Sequence, residues 1–353
     1  MAIPNSMAGS SQCCRQPSAP ARRGQASAAR WRCRWQGLWW GVLGFLSLCL
    51  PIFAVVGLGW AAMRRGAITP AISDGVGHFA FSFALPAMLL RLMAAQPLAE
   101  SFDPRFFGGY LAACLLVFFA TLAGGMLLAR HRRGQAAALG AAAAMGNVGY
   151  LGPPLLLPII GERGAGPVAM AIMSEVAIVI AIGSVLMAPM GERGVLGRVL
   201  RSLLLNPVLL SIGGGAVLGA LGIAIPAPVE RFLAFLGAAA GPTALFALGG
   251  TLGRLSLDRR MVLLAGAATI GKLLAYPLLV WVLLGPLLGL EQFWVQAGVM
   301  LAAMPTATNA FVLAQRFHTG AEAVSAVVLL STVIAAGAFP LTAWLLAGPV
   351  PGP

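Results

Sequence analysis

Two short stretches hold most of the chemistry available to this chain. Gly146-Asn147-Val148-Gly149-Tyr150-Leu151-Gly152-Pro153-Pro154 combines glycines with two adjacent prolines. Glycine weakens a helix, and proline removes a backbone donor and clashes with a preceding carbonyl. Met304-Pro305-Thr306-Ala307-Thr308-Asn309 repeats the device with one proline. Its Thr and Asn side chains suit a new helix start, where they accept from free backbone N–H groups. Each stretch lies inside a long apolar run, so each predicts a helix broken halfway. The start of a half-helix carries about half a positive charge. Two such breaks make an anion site with few charged side chains. The substrate-binding candidates are Asn147, Gly149, Gly152, Pro153, Pro305, Thr306, Thr308 and Asn309. The competing reading is a proline kink that serves packing alone.

Two ionisable residues fall near the middle of other apolar runs, Glu175 and Lys272. A charge at the bilayer centre costs roughly 2.5–3.5 kcal/mol even on lenient scales, so it faces the protein interior. Lys272 then offsets anion charge or half-helix carbonyls, and Glu175 carries a proton. A structural ion pair, or a lysine reaching for the interface, is the alternative. Arg91, near the end of its run, is read as snorkelling.

The elements that position these residues follow from composition. The chain has 353 residues, 59% of them hydrophobic and 9% charged, with mean hydropathy +0.89. Soluble proteins need about 25% charged residues. The remaining surface faces lipid, which excludes a soluble enzyme and a disordered chain. A net charge of +13 suggests nucleic acid in a soluble protein, but arginine excess in a membrane protein marks cytoplasmic loops. Nucleic acid is therefore not an expected partner. No H-E-x-x-H, G-x-S-x-G or P-loop occurs, and the 5 cysteines and 3 histidines show no ligand spacing. The expectation is a protein with no enzymatic activity, no cofactor and no metal.

Runs of about 20 apolar residues span a bilayer. Ten occur, near 40–63, 72–95, 106–129, 136–160, 166–189, 203–223, 230–252, 262–285, 293–315 and 322–346. Gly215-x-x-x-Gly219 and Gly237-x-x-x-Gly241 suit close helix approach. Pro51 and Pro86 reappear 156 residues later as Pro207 and Pro242, as do Gly57, Gly59 and Phe79 as Gly213, Gly215 and Phe235. Five spans separate the copies, so they are inverted in the bilayer, as in many secondary transporters. The expected fold is an all-α integral membrane protein of ten transmembrane helices, two inverted five-helix repeats with crossed broken helices at spans 4 and 9. The divisions are a basic tail at 1–37, a first repeat at 38–190, a linker at 191–202, a second repeat at 203–347 and a short tail at 348–353.

Twelve arginines follow the odd-numbered spans and three follow spans 2, 4, 6 and 8. The first set is therefore cytoplasmic and both termini lie outside. The six arginines of the first 36 residues then fall on the external side, which favours a start downstream of residue 1 over a functional tail or a signal.

At these residues the chain resembles the auxin efflux carrier family of bacterial and plant transporters. The matching strings are PIFAVVGLGW at 51–60, LPAMLLR at 85–91, GNVGYLGPP at 146–154, Asn206-Pro207, and PTATNAFVLAQRF at 305–317. The resemblance covers roughly 43–346. It implies a panel-like scaffold, a transport part with crossed helices, and a bacterial inner membrane location. Family members move organic anions, indole acetate in plants and dicarboxylates such as malate or malonate in bacteria. Family asparagines beside the crossing prolines hold the carboxylate, and Asn147 and Asn309 match them. The long loop of some plant members is missing, because about a dozen residues join spans 5 and 6. The expected partners are a small carboxylate and the bilayer, with a homodimer left open. Alternating access is the expected mechanism, and a sodium-coupled symporter of the bile-acid type is the alternative.

Overall fold

The computed structural model describes residues 45–347, apart from 48, 98–100, 128, 190–193 and 256–258. The tails at 1–37 and 348–353 lie outside the described residues. Those residues contain helices and no strand, with one isolated antiparallel bridge between Gly146 and Thr306. Seven helices are long and apolar enough to cross a membrane. They are α1 (Phe45–Arg64), α2 (Pro70–Ala94), α3 (Pro104–Leu127), α6 (Glu162–Met187), α9 (Ala227–Arg254), α10 (Ala265–Leu287) and the last helix, α13 (Ala321–Ala347). The run at 136–160 becomes α4 (Arg133–Ala144) and α5 (Gly152–Ile160). The run at 293–315 becomes α11 (Gln292–Ala302) and α12 (Thr308–Arg316).

The expected linker at 191–202 is largely helical. Helix α7 (Val195–Leu204) buries Val195 and exposes Leu196, Leu200 and Leu204 beside its arginines, the pattern of a helix lying at a lipid interface. It bends by 50° into α8 (Pro207–Ala220). Asn206 sets the corner. Its Oδ1 accepts from the backbone N–H of Val208 at 3.0 Å and Leu209 at 3.3 Å, and Pro207 occupies a first-turn position where no donor is needed.

Glycine sets how closely the helices approach. A Cβ on Gly59 of α1 would lie 2.1 Å from the Phe246 carbonyl oxygen of α9, and one on Gly249 2.0 Å from that of Val56. Gly215 and Gly219 press on α2 in the same way, at 2.7 Å from Leu90 O and 2.9 Å from Met93 O. Lipid supplies no hydrophobic drive between helices, so such backbone contact is a main source of attraction. In the second predicted pair only Gly237 is tight, 3.0 Å from Met88 Cα; Gly241 meets Pro154 at an ordinary 3.6 Å. Arg91 does not snorkel. Its Nε donates to Glu230 Oε1 of α9 at 2.9 Å, which joins two helices already in contact.

These contacts gather α1, α2, α8 and α9 into one layer, while α3 to α6 and α10 to α13 pack mainly among themselves. Gly249→Ala should lower stability by about 1–3 kcal/mol, because the backbone it touches cannot move aside. Gly57→Ala, with nothing within 4 Å of its Cβ position, should stay within about 0.5 kcal/mol. Thermal unfolding in detergent compares the two.

Candidate functional site

Helix α4 carries Ala136 to Ala144 fully or nearly buried, with only Leu139 and Gly140 interrupting the alanines. Small side chains let α4 run through the centre of the bundle. It ends where Met145 turns extended, and α5 restarts at Gly152 with prolines in its first turn. Helix α11 ends at Ala302 and α12 restarts at Thr308. Both breaks thus take backbone groups out of helical pairing in the middle of an apolar run.

Each break pairs the other. The Asn147 N–H donates to Pro305 O at 2.8 Å and the Ala307 N–H to Met145 O at 3.1 Å. Thr306 Oγ1 donates to Ala142 O, the last turn of α4, at 2.8 Å, while the Thr306 N–H donates to Ser331 Oγ of α13 at 3.0 Å. The expected cap is therefore corrected. Residue Ala307 holds the N-cap position and has no side chain to cap with, so Thr306 serves the opposite half-helix instead of its own. Lys272 Nζ donates to Ala302 O at 3.0 Å and so caps the C-terminal end of α11, where a cation suits the negative dipole end.

The cleft beside this crossing is lined by Asn147, Gly149, Asn309, Tyr150, Phe81 and Glu175, among others. It holds about 20 Å³ of free space, room for one water. Asn147 is 4% exposed, and its Nδ2 makes no hydrogen bond within the protein. Glu175 Oε1 accepts from the Tyr110 hydroxyl at 2.9 Å, and its Oε2 has no partner. Of the other candidates, Gly152 and Pro153 are buried in the first turn of α5, and Gly152 packs against Val168. Pro305, Thr306 and Thr308 are buried at the break, outside the cleft lining. Lys272 stands behind the cleft, its Nζ 4.4 Å from the Tyr276 ring. A Cβ on Gly146 would come within 3.1 Å of that Nζ, so glycine there leaves room for the ammonium.

Widened turns position three of these groups. Phe81 lies in the π-helical turn Ala80–Ala84, Glu175 in Met173–Val179 and Lys272 in Gly271–Ala275. A π-turn inserts a residue into the helix and rotates the side chains beyond it, a feature common at functional sites. Sequence reasoning passed over Tyr110, Tyr276 and Ser331. One signal was available: the chain has 3 tyrosines, and all three stand at the crossing, as Tyr150 lines the cleft, Tyr110 donates to Glu175 and Tyr276 lies under Lys272.

Chemically, the cleft offers a free amide donor, the N-terminal end of α12 and a carboxyl with one oxygen available. These suit a small anion together with a proton. The comparisons with known proteins agree in class. A family profile described as "Membrane transport protein" matches residues 45–345. A Rhizobium meliloti protein named "Putative malonate transporter" is 32% identical over 293 residues, covering 82% of this chain and 91% of that one. The Escherichia coli K12 protein "Uncharacterized transporter YfdV" is 26% identical over 281 residues, 78% of this chain and 88% of its own. The chain is a multi-pass membrane protein and belongs to the membrane transport protein family, that of the auxin efflux carriers.

Proposed function

We propose that the chain is a secondary carrier of a small carboxylate, of the size and charge of malonate, working by alternating access at the crossing of two broken spans. The observation that carries this reading is the buried, unpartnered Asn147 amide in a cleft formed where two interrupted helices meet. A hydrogen bond to a charged group is worth about 1.5–3 kcal/mol. Asn147 and Asn309, with the α12 N-terminus, hold the carboxylate. Gly149, Gly152 and Pro153 shape one break, and Pro305, Thr306 and Thr308 the other.

The architecture in this reading is ten spans in two inverted five-helix repeats, α4 with α5 forming span 4 and α11 with α12 forming span 9. Swapped contacts support it. Gly59 meets Phe246 and Gly215 meets Leu90; shifting either pair by the repeat of 156 residues gives the other. The bonds from Asn147 to Pro305 and from Ala307 to Met145 also exchange, here at a shift of 160 residues. The arginine asymmetry favours cytoplasmic breaks after odd spans, both termini outside, in a bacterial inner membrane.

Glu175 carries a proton with the anion, and Lys272 holds the half-helix end. Residue Ser331 lies 156 positions beyond Glu175, and its hydroxyl satisfies the second break. A neutral hydroxyl is thus sufficient for the structural task at that repeat position. An acid at the first break has a different use. Ionised, it would repel a carboxylate in the same cleft, so the two enter together when the acid is neutral.

In proteoliposomes, Asn147→Ala and Asn309→Ala should each weaken apparent affinity for the transported carboxylate by roughly 10- to 100-fold, following the energy of a charged hydrogen bond. Wild-type uptake by both variants would remove the site. An inward acid gradient should accelerate wild-type uptake and leave Glu175→Gln unaffected. An equal response in both would remove the proton role. Lys272→Met strands the Ala302 carbonyl and should cost about 1–3 kcal/mol of stability, seen as a lowered melting temperature in detergent.

A further inference from the structure

A second cavity, of about 250 Å³, lies along the same two helices as the cleft. Helix α6 gives Val176 to the cleft and Ile180 and Ser184 to this cavity; α12 gives Asn309 to the cleft and Leu313 and Arg316 to the cavity. A helix rises about 1.5 Å per residue, so the two spaces are about one turn apart. On α12, Leu313 is the cavity residue nearest the cleft. Its Cδ2 would lie 3.3 Å from a Cβ on Gly183, so the leucine seats where α6 has no side chain.

The outer walls are basic. Arg198 of α7, Arg316 and His318 line the cavity together with the buried Ser184 hydroxyl. His318 is held at φ 49°, in the left-handed region where a helix normally ends on glycine. Its N–H donates to Gln315 O, and the Thr319 N–H to Ala314 O, which closes the end of α12. The His318 imidazole is thus carried at a backbone position that few side chains adopt, and strained positions gather at functional sites.

Resting on the carrier reading, we infer that this cavity is the vestibule on the arginine-rich side. Carboxylate anions collect there between Arg316 and His318 before reaching the cleft, and Leu313 on Gly183 is the plug between the two spaces. Positive walls around a confined, low-dielectric space raise the local concentration of anions. An anionic lipid headgroup has related charge. The shared walls with the cleft favour the transported anion, since a lipid site has no need of them.

Charge-selective labelling tests the inference. A chain with its native cysteines replaced by alanine and carrying Ser184→Cys is reconstituted at full length. It is treated with an anionic (sulfonatoethyl) or a cationic (trimethylammonioethyl) methanethiosulfonate. The anionic reagent should react several-fold faster, malonate should slow it, and Arg316→Gln with His318→Gly should bring the two rates together. His318→Gly suits the backbone at that position, so the fold should persist. In a Val176→Cys chain, Leu313→Ala should speed labelling several-fold. Equal rates for both reagents, protection by phosphatidylglycerol but not malonate, or no effect of Leu313→Ala would each overturn the vestibule. Charge selectivity at Ser184→Cys, with no carboxylate moved by the wild-type chain in proteoliposomes, would instead overturn the carrier reading alone.

Discussion

A backbone N–H or C=O inside hydrocarbon has no water to bond, and each one left open costs several kcal/mol. The crossing is a solution to that constraint. Met145 to Leu151 and Ala303 to Ala307 leave the helical pattern at the same depth, and each supplies the partners the other lacks. Neither break is tenable alone. The pairing uses the backbone of Asn147 and the side chain of Thr306, and leaves the Asn147 amide unpaired. A group that the fold does not consume is available to a ligand. The chemistry of the site therefore follows from how the backbone is satisfied.

The same logic explains the small residues. An alanine-rich helix, α4, lets its neighbours approach until the Phe118 carbonyl is 2.8 Å from where a Cβ on Gly140 would sit. The layer of α1, α2, α8 and α9 is tied by glycine contacts to backbone atoms, which tolerate little displacement. The cleft lies where this layer, through Phe81, Leu85 and Val208, meets the bundle carrying the breaks. Tight packing within each part and sparser contact between them is the mechanical condition for one part to move against the other.

Much of this was legible because lipid imposes simple rules. Apolar runs predicted the long helices to within a few residues, as for 106–129 against Pro104–Leu127, since helix length is set by bilayer thickness. The breaks were legible because Pro153, Pro154 and Pro305 cannot continue a helix. Partners of the breaks were less so. The capping propensity of Thr306 pointed to its own half-helix, whereas proximity to the end of α4 gave it a better acceptor in Ala142 O. Arg91 shows the same limit, because its partner Glu230 lies 139 residues away. Tyr110 and Ser331 meet their partners through tertiary packing alone. The helix α7 was hidden by its shortness, although its leucines and arginines alternate at helical spacing.

The cleft's small volume decides what kind of machine this reading requires. The cleft has about 20 Å³ free, space for a water, and the neighbouring cavity about 250 Å³, space for a small dicarboxylate. A channel would join the two spaces permanently. In the proposed vestibule Leu313 on Gly183 parts them, and the free amide and carboxyl oxygen lie on the side of the cleft. In that arrangement an anion coming from the cavity would reach Asn147 when α12 shifts relative to α6 or the bundle relative to the layer at Phe81, so that entry and conformational change would be one event. The proposed proton on Glu175 would act on the same event, because a neutral acid lowers the cost of an anion in the widened cleft and an ionised one raises it.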